Sequence, residues 1–150
     1  MQGSLLVAQG NTEVTSGGFL IQNNDVVTSV AGLNITSVGF LNIFDNDALI
    51  SLEGLGALES AGAGLSIFDN DVLANLHGLS GLKTVPVGSI GIRNNPVLGS
   101  IEGLRGMTFV RDEMLIEGNT ALPQCQADNL AAQLQVSCTG AGNEGSAPCT

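Results

Sequence analysis

The chain repeats one pattern of hydrophobic and polar positions with a period of about 24 residues, which is typical of proteins built from stacked repeats. Each repeat can be aligned on an asparagine that has apolar residues five and three positions before it and an aliphatic residue three positions after it. The aligned positions are Asn11, Asn24, Asn46, Asn70, Asn95 and Asn119. Spacing is nearly constant from Asn24 onwards, whereas the first interval is much shorter.

The two apolar residues before each asparagine predict a short β-strand, because alternate side chains of a strand point to the same face. Leu41 and Ile43 form one such inward pair, and Leu65 and Ile67 form the next. The asparagine falls where the chain leaves the strand, and its amide can pair with backbone groups of the turn. We therefore predict a ladder of stacked asparagines inside the fold, formed by Asn24, Asn46, Asn70, Asn95 and Asn119.

A glycine recurs at one point later in each repeat, at Gly32, Gly54, Gly78 and Gly103. We expect a positive φ or a tight corner there, since glycine tolerates both. One repeat cannot bury its apolar side alone and does so only by stacking on its neighbours. The pattern therefore predicts that each repeat is one coil of a β-solenoid.

All three cysteines, Cys125, Cys138 and Cys149, lie near the C-terminus. This clustering predicts a disulfide at one end of the fold, and the odd number leaves at least one thiol free or paired between chains. A zinc site or three free thiols are the alternatives, although the cysteine spacings do not match paired zinc ligands. Between the first two cysteines, residues 126–135 have apolar side chains at helical spacing and predict a short helix that caps the last coil.

The repeat Leu-x-Ile-x-x-Asn-x-x-Leu-x-x-Leu-x-Gly-Leu resembles that of receptor L domains, relatives of leucine-rich repeats found in growth-factor-receptor ectodomains and in bacterial surface proteins. The resemblance extends from Leu5 to Leu122. It implies an α/β horseshoe-like fold or β-solenoid, a right-handed coil of about six short parallel strands. It also implies a non-catalytic extracellular recognition module with a protein or glycan ligand. A structural spacer in a larger surface or secreted protein, without its own ligand, is the alternative.

The segment after Leu122 is similar to the closing segment of bacterial proteins of this kind. That similarity implies a disulfide between Cys125 and Cys149, with Cys138 unpaired. The expected organisation is a repeat solenoid over residues 1–122 and a cap with a short helix over residues 123–150.

The N-terminal end has no comparable cap in the sequence, because the first repeat, from Asn11 to Asn24, is incomplete and little precedes Leu5. We expect either preceding coils or a signal segment outside this sequence, or end-to-end self-association through this uncapped end. Residues 1–9 lack the features of a signal peptide. An extracellular or cell-surface location, which a disulfide favours, would therefore need an export signal upstream; the alternative is that the chain stays inside the cell with its thiols reduced.

Charge and composition narrow the classes of partner. Four basic and fourteen acidic residues give a formal net charge of −10, which argues against nucleic acid and anionic membrane surfaces as partners. No apolar run approaches the ~18 residues of a membrane span. The core is expected to be aliphatic, because the chain has no Trp or Tyr and only five Phe.

Outward strand positions form a candidate binding face of Phe44, Phe68, Asn42, Ser66 and Arg93. Phe44 and Phe68 are expected on adjacent strands, where they could anchor a ligand or simply shield each other as a cross-strand pair. Arg93 and Glu117 occupy the same column and predict an ion pair.

Acidic residues flank two ladder positions, at Asp45, Asp47, Asp69 and Asp71. They are candidate calcium ligands, although each could equally serve its own turn by bonding its backbone. His77 lies in a column with Glu53 and Glu102, but no nucleophile accompanies it. No stacked threonine column supports ice binding. We therefore expect no catalytic residue, no cofactor and no metal.

Overall fold

The computed structural model describes residues 11–15, 17–146 and 148–149. Most strands are parallel, and they form two sheets. The seven-stranded sheet contains, in spatial order, β1 (Asn11–Thr15), β2 (Gly18–Gln22), β4 (Phe40–Phe44), β6 (Leu65–Phe68), β8 (Ile90–Arg93), β10 (Met114–Glu117) and β11 (Cys138–Thr139). The four-stranded sheet contains β3 (Ser37–Val38), β5 (Ser60–Ala61), β7 (Thr84–Val85) and β9 (Phe109–Val110).

Parallel strands of the seven-stranded sheet pair in the register that the repeat predicts. Ile43 pairs with Ile21 on one side and with Ile67 on the other, and Ile92 continues the row. These side chains are fully buried and belong to the same core as the inward residues of the four-stranded sheet. The prediction of short parallel strands is therefore confirmed, and their core is aliphatic as predicted apart from the fully buried Phe19.

The recurring glycines allow close stacking of neighbouring repeats. Gly32 and Gly54 have φ values of 89° and 110°, a conformation that side chains disfavour. Gly78 and Gly103 lie in two short 3-10 helices, His77–Leu79 and Glu102–Leu104. A Cβ atom at either position would collide with a backbone carbonyl of the preceding repeat.

The N-terminal end differs from the predicted repeat. The expected first strand, around Leu6 and Ala8, lies outside the described residues. β1 follows it and pairs antiparallel with β2, with Asn11 opposite Gln22 and Thr15 opposite Gly18. This segment is too short for a full repeat, and the chain reverses near Gly17, whose φ is 86°. The edge of β2 is therefore hydrogen-bonded to β1, and the uncapped end that we expected before Leu5 lies outside the described residues.

The C-terminal segment contains the predicted helix and disulfide. α1 (Gln124–Leu134) follows Pro123 and is followed by Gln135, which has a left-handed φ of 58°. The disulfide joins Cys125 to Cys149, whose Cα atoms are 6.0 Å apart, and Cys138 is free. The implied pairing is therefore confirmed. None of the helices in the described ranges has the length and apolar character that a membrane span requires.

β11 extends the seven-stranded sheet beyond residue 122, where the sequence suggested that the repeat region ends. Met114 pairs with Cys138, and Leu115 pairs with Thr139, in the same parallel register as the preceding strands. The chain thus returns to the sheet after α1. In sequence order, α1 therefore comes between β10 and β11, which pair directly with each other in the sheet.

Candidate functional site

The outer face of the seven-stranded sheet is defined by the side chains that alternate with the buried ones. Strand alternation places them in two columns, and all of them are half-buried. One column contains Leu20, Asn42, Ser66, Gly91 and Leu115, and the other contains Gln22, Phe44, Phe68, Arg93 and Glu117.

Phe44 and Phe68 stack on adjacent strands of this outer face. Their ring centroids are 4.7 Å apart and their planes differ by 3°. The guanidinium carbon of Arg93 lies 5.3 Å from the centroid of Phe68, which is within the range of a cation–π contact. Phe68 therefore lies between an aromatic ring on one strand and a cation on the next.

The predicted ion pair between Arg93 and Glu117 is wrong. Arg93 has Phe68 beside it on β6 and Glu117 beside it on β10, but its guanidinium lies over the Phe68 ring and forms no ion pair with Glu117. A guanidinium is weakly hydrated and stacks well on aromatic faces, whereas a solvent-exposed ion pair contributes only ~0–1 kcal/mol.

Asp45 and Asp69 occupy a position that requires a left-handed backbone. Their φ values are 53° and 54°, and Asn and Asp are the non-glycine residues that tolerate this conformation best. The equivalent positions of the other repeats also have positive φ and hold Asn23, Asn94, Gly118 and Gly142. Backbone conformation therefore accounts for the first acidic residue of each Asp-Asn-Asp sequence.

The four carboxylates proposed as calcium ligands do not gather into a metal-binding group. Asp47 and Asp71 are solvent-exposed on successive turns. Throughout the described ranges, no cluster of three or more His, Cys, Asp or Glu could hold a metal ion. Together with Asp25, at the equivalent position of the preceding repeat, these residues form an acidic row along one margin of the sheet.

The ladder asparagines are buried and hydrogen-bonded to one another. Asn46 Nδ2 donates to Asn70 Oδ1 at 3.0 Å, to Phe44 O at 3.0 Å and to Ile21 O at 3.1 Å. Asn70 and Asn95 repeat this arrangement with the asparagine of the following repeat. Each amide therefore joins its own strand end to the repeats on both sides, which offsets the cost of burying it.

A sixth ladder residue, Asn143, was missed in the sequence. Its Oδ1 accepts hydrogen bonds from Asn119 N and Nδ2, both at 3.2 Å. Its Nδ2 donates to Ile116 O at 2.7 Å and to Gln124 Oε1 at 2.8 Å, so α1 ends the ladder. Asn143 follows Asn119 at the same interval that separates Asn119 from Asn95. This constant interval could have identified Asn143 from the sequence. The pattern was hard to see because Gly140, three residues before Asn143, replaces the usual aliphatic residue.

The other end of the ladder is not closed in the same way. Asn24 donates to Asn46 Oδ1 at 3.0 Å, but Asn24 Oδ1 is buried and has no donor among the described residues. Asn11, which the alignment placed one repeat earlier, lies in the antiparallel β1.

A small cleft separates α1 from the 3-10 helix Glu102–Leu104. It has about 50 Å³ open to water-sized molecules and is bordered by Gln126, Gln133 and Cys149. Gln126 Oε1 accepts from Ile101 N at 2.9 Å, and Gln133 Nε2 donates to Met107 O at 2.8 Å. The space suits a few water molecules. The side-chain amides of Gln126 and Gln133 hydrogen-bond α1 to the backbone of the preceding repeat.

Of the remaining candidate residues for chemistry, Glu102 lines this cleft as well. His77, Glu53 and Glu102 are all exposed. Burial, with a smaller contribution from Asp128, raises the pKa of the Cys138 thiol, while a backbone hydrogen bond from Ile116 opposes the rise. A raised pKa keeps the thiol protonated and reduces its nucleophilicity. Comparison of the chain with protein-family models, with curated proteins and with solved structures found no match.

Proposed function

We propose that the protein is a non-catalytic recognition module whose two sheets are walls of one right-handed solenoid similar to receptor L domains. Three features support this fold: parallel strands in constant register, a periodic asparagine ladder, and glycines where neighbouring repeats approach closely. The disulfide supports an extracellular or cell-surface location, because disulfides persist in oxidising compartments.

The stacked pair Phe44 and Phe68 is the observation that supports binding at the outer face. Aromatic side chains supply large contact areas and are enriched at the centres of interfaces. Both are half-buried on the sheet, and Arg93 extends the stack. A protein or glycan ligand would meet a flat surface with an apolar centre and a polar surround that includes Asn42 and Ser66.

The test is a double variant, Phe44→Thr with Phe68→Thr. Threonine suits a strand, so the fold is expected to persist with a loss of roughly 1 kcal/mol from the aromatic pair. Phe109→Thr is the matched control, because Phe109 is 47% exposed and lies in β9 of the other sheet.

Wild type and both variants are screened against a glycan array and a displayed peptide library, and circular dichroism verifies folding. We expect at least one ligand that binds wild type and Phe109→Thr but not the double variant. If every ligand binds all three proteins equally, or if none binds, the recognition role is overturned in favour of the structural spacer.

A further inference from the structure

We infer that the outer face binds a cationic polypeptide segment with apolar side chains. This inference rests on the proposed recognition function and names the class of its partner. It is carried by the juxtaposition of the Phe44–Phe68 stack with the acidic row, which consists of Asp25, Asp45, Asp47, Asp69 and Asp71.

The geometry of the aromatic stack favours a polypeptide over a glycan. Sugar rings bind aromatic side chains through the faces of the rings. Each face of Phe68 is already occupied, by Phe44 on one side and Arg93 on the other, and Gln22 is the neighbour of Phe44 on β2. A ligand that approaches Phe68 from solvent therefore meets the edge of the ring, which suits aliphatic and aromatic side chains.

The acidic row begins directly beside this stack. Asp45 follows Phe44 in the chain, and Asp69 follows Phe68, so each carboxylate stands at the end of a strand that carries an aromatic ring. Asp25, Asp45, Asp47 and Asp71 are exposed. Like charges on neighbouring strands repel one another, and a cationic ligand would relieve that repulsion.

Charge is distributed unevenly along the chain, and this distribution leaves the surface with an excess of negative charge. Residues 1–82 contain eight Asp or Glu and no Lys or Arg, whereas all four basic residues lie at Lys83 or beyond. The part of the sheet formed by β2, β4 and β6 therefore has no Lys or Arg of its own to neutralise the acidic row. Such a field attracts cationic partners and repels anionic ones.

The aromatic and acidic features also disappear together in later repeats. Arg93 and Glu117 replace the phenylalanines on β8 and β10. The acidic positions become Asn94 and Pro96, and then Gly118 and Thr120. Apart from Asp25, which follows β2, both features are thus confined to the repeats of β4 and β6, which defines a surface with one apolar strip and one anionic margin.

The test is a selection of random displayed peptides on wild-type protein, with counter-selection on the Phe44→Thr, Phe68→Thr variant. We expect the enriched peptides to be net positive and to carry apolar residues. For a synthetic peptide of the enriched sequence, fluorescence anisotropy should show Kd rising about 10-fold or more in that variant. Asp47→Asn with Asp71→Asn should raise Kd by about 3- to 10-fold.

Two controls separate this surface from general charge and hydrophobicity. Phe109→Thr removes an exposed phenylalanine elsewhere, and Asp112→Asn with Glu113→Gln removes the same number of exposed charges beyond the acidic row. Neither should change Kd by more than about 2-fold. Raising NaCl from about 50 to 300 mM should weaken binding to wild type, because salt screens exposed charges.

The outcomes distinguish this inference from the function on which it rests. Enriched peptides that are neutral or acidic, or a Kd that ignores Asp47 and Asp71, would overturn the cationic partner while recognition at the face survives. A glycan that requires the two phenylalanines, with no such peptide enriched, would do the same. Absence of any ligand that depends on the phenylalanines would overturn both.

Discussion

The ladder asparagines hydrogen-bond backbone carbonyls at the strand ends of their own repeat and of the preceding repeat. Asn70 Nδ2 donates to Phe68 O in its own repeat and to Ile43 O in the preceding repeat, while its Oδ1 accepts from Asn46. A buried polar group without a partner costs about 1–3 kcal/mol. One small side chain therefore stabilises several buried groups at once.

Asn70→Ala should lower the free energy of unfolding by about 3 kcal/mol, because several buried groups lose a partner together. Asn34→Ala, at an exposed position, is the matched control and should change it by less than about 0.5 kcal/mol. Urea denaturation measures both values. Equal effects of the two substitutions would show that the ladder contributes no particular stability.

The left-handed residue before each ladder asparagine allows a second test. Asp45→Val places a β-branched side chain at a φ of 53° and should cost about 1–2 kcal/mol. Asp47→Val removes the same charge two residues later, at an exposed position outside the positive-φ set, and should cost less. Thermal unfolding compares the pair, and an equal loss would mean that charge rather than conformation selects Asp45.

Residue-level prediction succeeded where the repeat alone decides the outcome. Phe44 and Phe68 share a column because their repeats have nearly equal length, so the sequence was enough to place them side by side. The contact of Arg93 was not predictable in this way, since the register gives it neighbours on two strands. Its choice of Phe68 over Glu117 depends on side-chain geometry that a sequence pattern does not contain.

At the scale of elements, α1 stabilises the end of the core. Its buried side chains, Ala127, Leu130, Ala131 and Leu134, join the same hydrophobic cluster as the strands. Gln124 completes the ladder and Gln126 hydrogen-bonds the preceding repeat. The helix is thus attached by apolar packing and by side-chain amides, with the disulfide near its beginning.

Reduction of the disulfide should lower the free energy of unfolding by about 3 kcal/mol, since the bond joins cysteines separated by 24 positions in the chain. Urea denaturation with and without a phosphine reductant measures the difference. Cys138→Ser should respond to reductant as wild type does, whereas Cys125→Ser with Cys149→Ser should not respond. An unchanged midpoint for reduced wild type would contradict this account.

Elements at the two ends were harder to predict than those between them. Alignment on Asn11 suggested a parallel strand before it, but the segment from Asn11 to Gln22 is short enough to form an antiparallel hairpin. β11 was missed because it has only two residues and contains Cys138 where other repeats have larger apolar residues. The period describes the internal repeats well, whereas the first and last described segments depart from it.

At the scale of the whole molecule, the first and second parts of the chain differ more in charge than in backbone structure. The strands from β2 to β10 repeat the same geometry, yet every Lys and Arg lies in the second part of the sequence. Repulsion among the exposed carboxylates of the first part opposes folding at low ionic strength.

Raising NaCl from about 20 to 500 mM should therefore stabilise the protein by roughly 1 kcal/mol, because salt screens the repulsion between neighbouring strands. Thermal unfolding measured across this range provides the test. Asp47→Asn with Asp71→Asn should show a smaller gain than Asp112→Asn with Glu113→Gln, although both have the same net charge. Equal gains would show that total charge matters and the acidic row does not.

The side-chain amide dipoles of the asparagine ladder also point in one common direction. Every ladder amide has its oxygen towards the preceding repeat and its nitrogen towards the following one, so the side-chain dipoles add head to tail, as peptide dipoles do in an α-helix. The positive end meets Gln124 Oε1, and the negative end is Asn24 Oδ1. Because hydrogen bonds in such a row polarise one another, the strength of each one depends on how many amides the row contains.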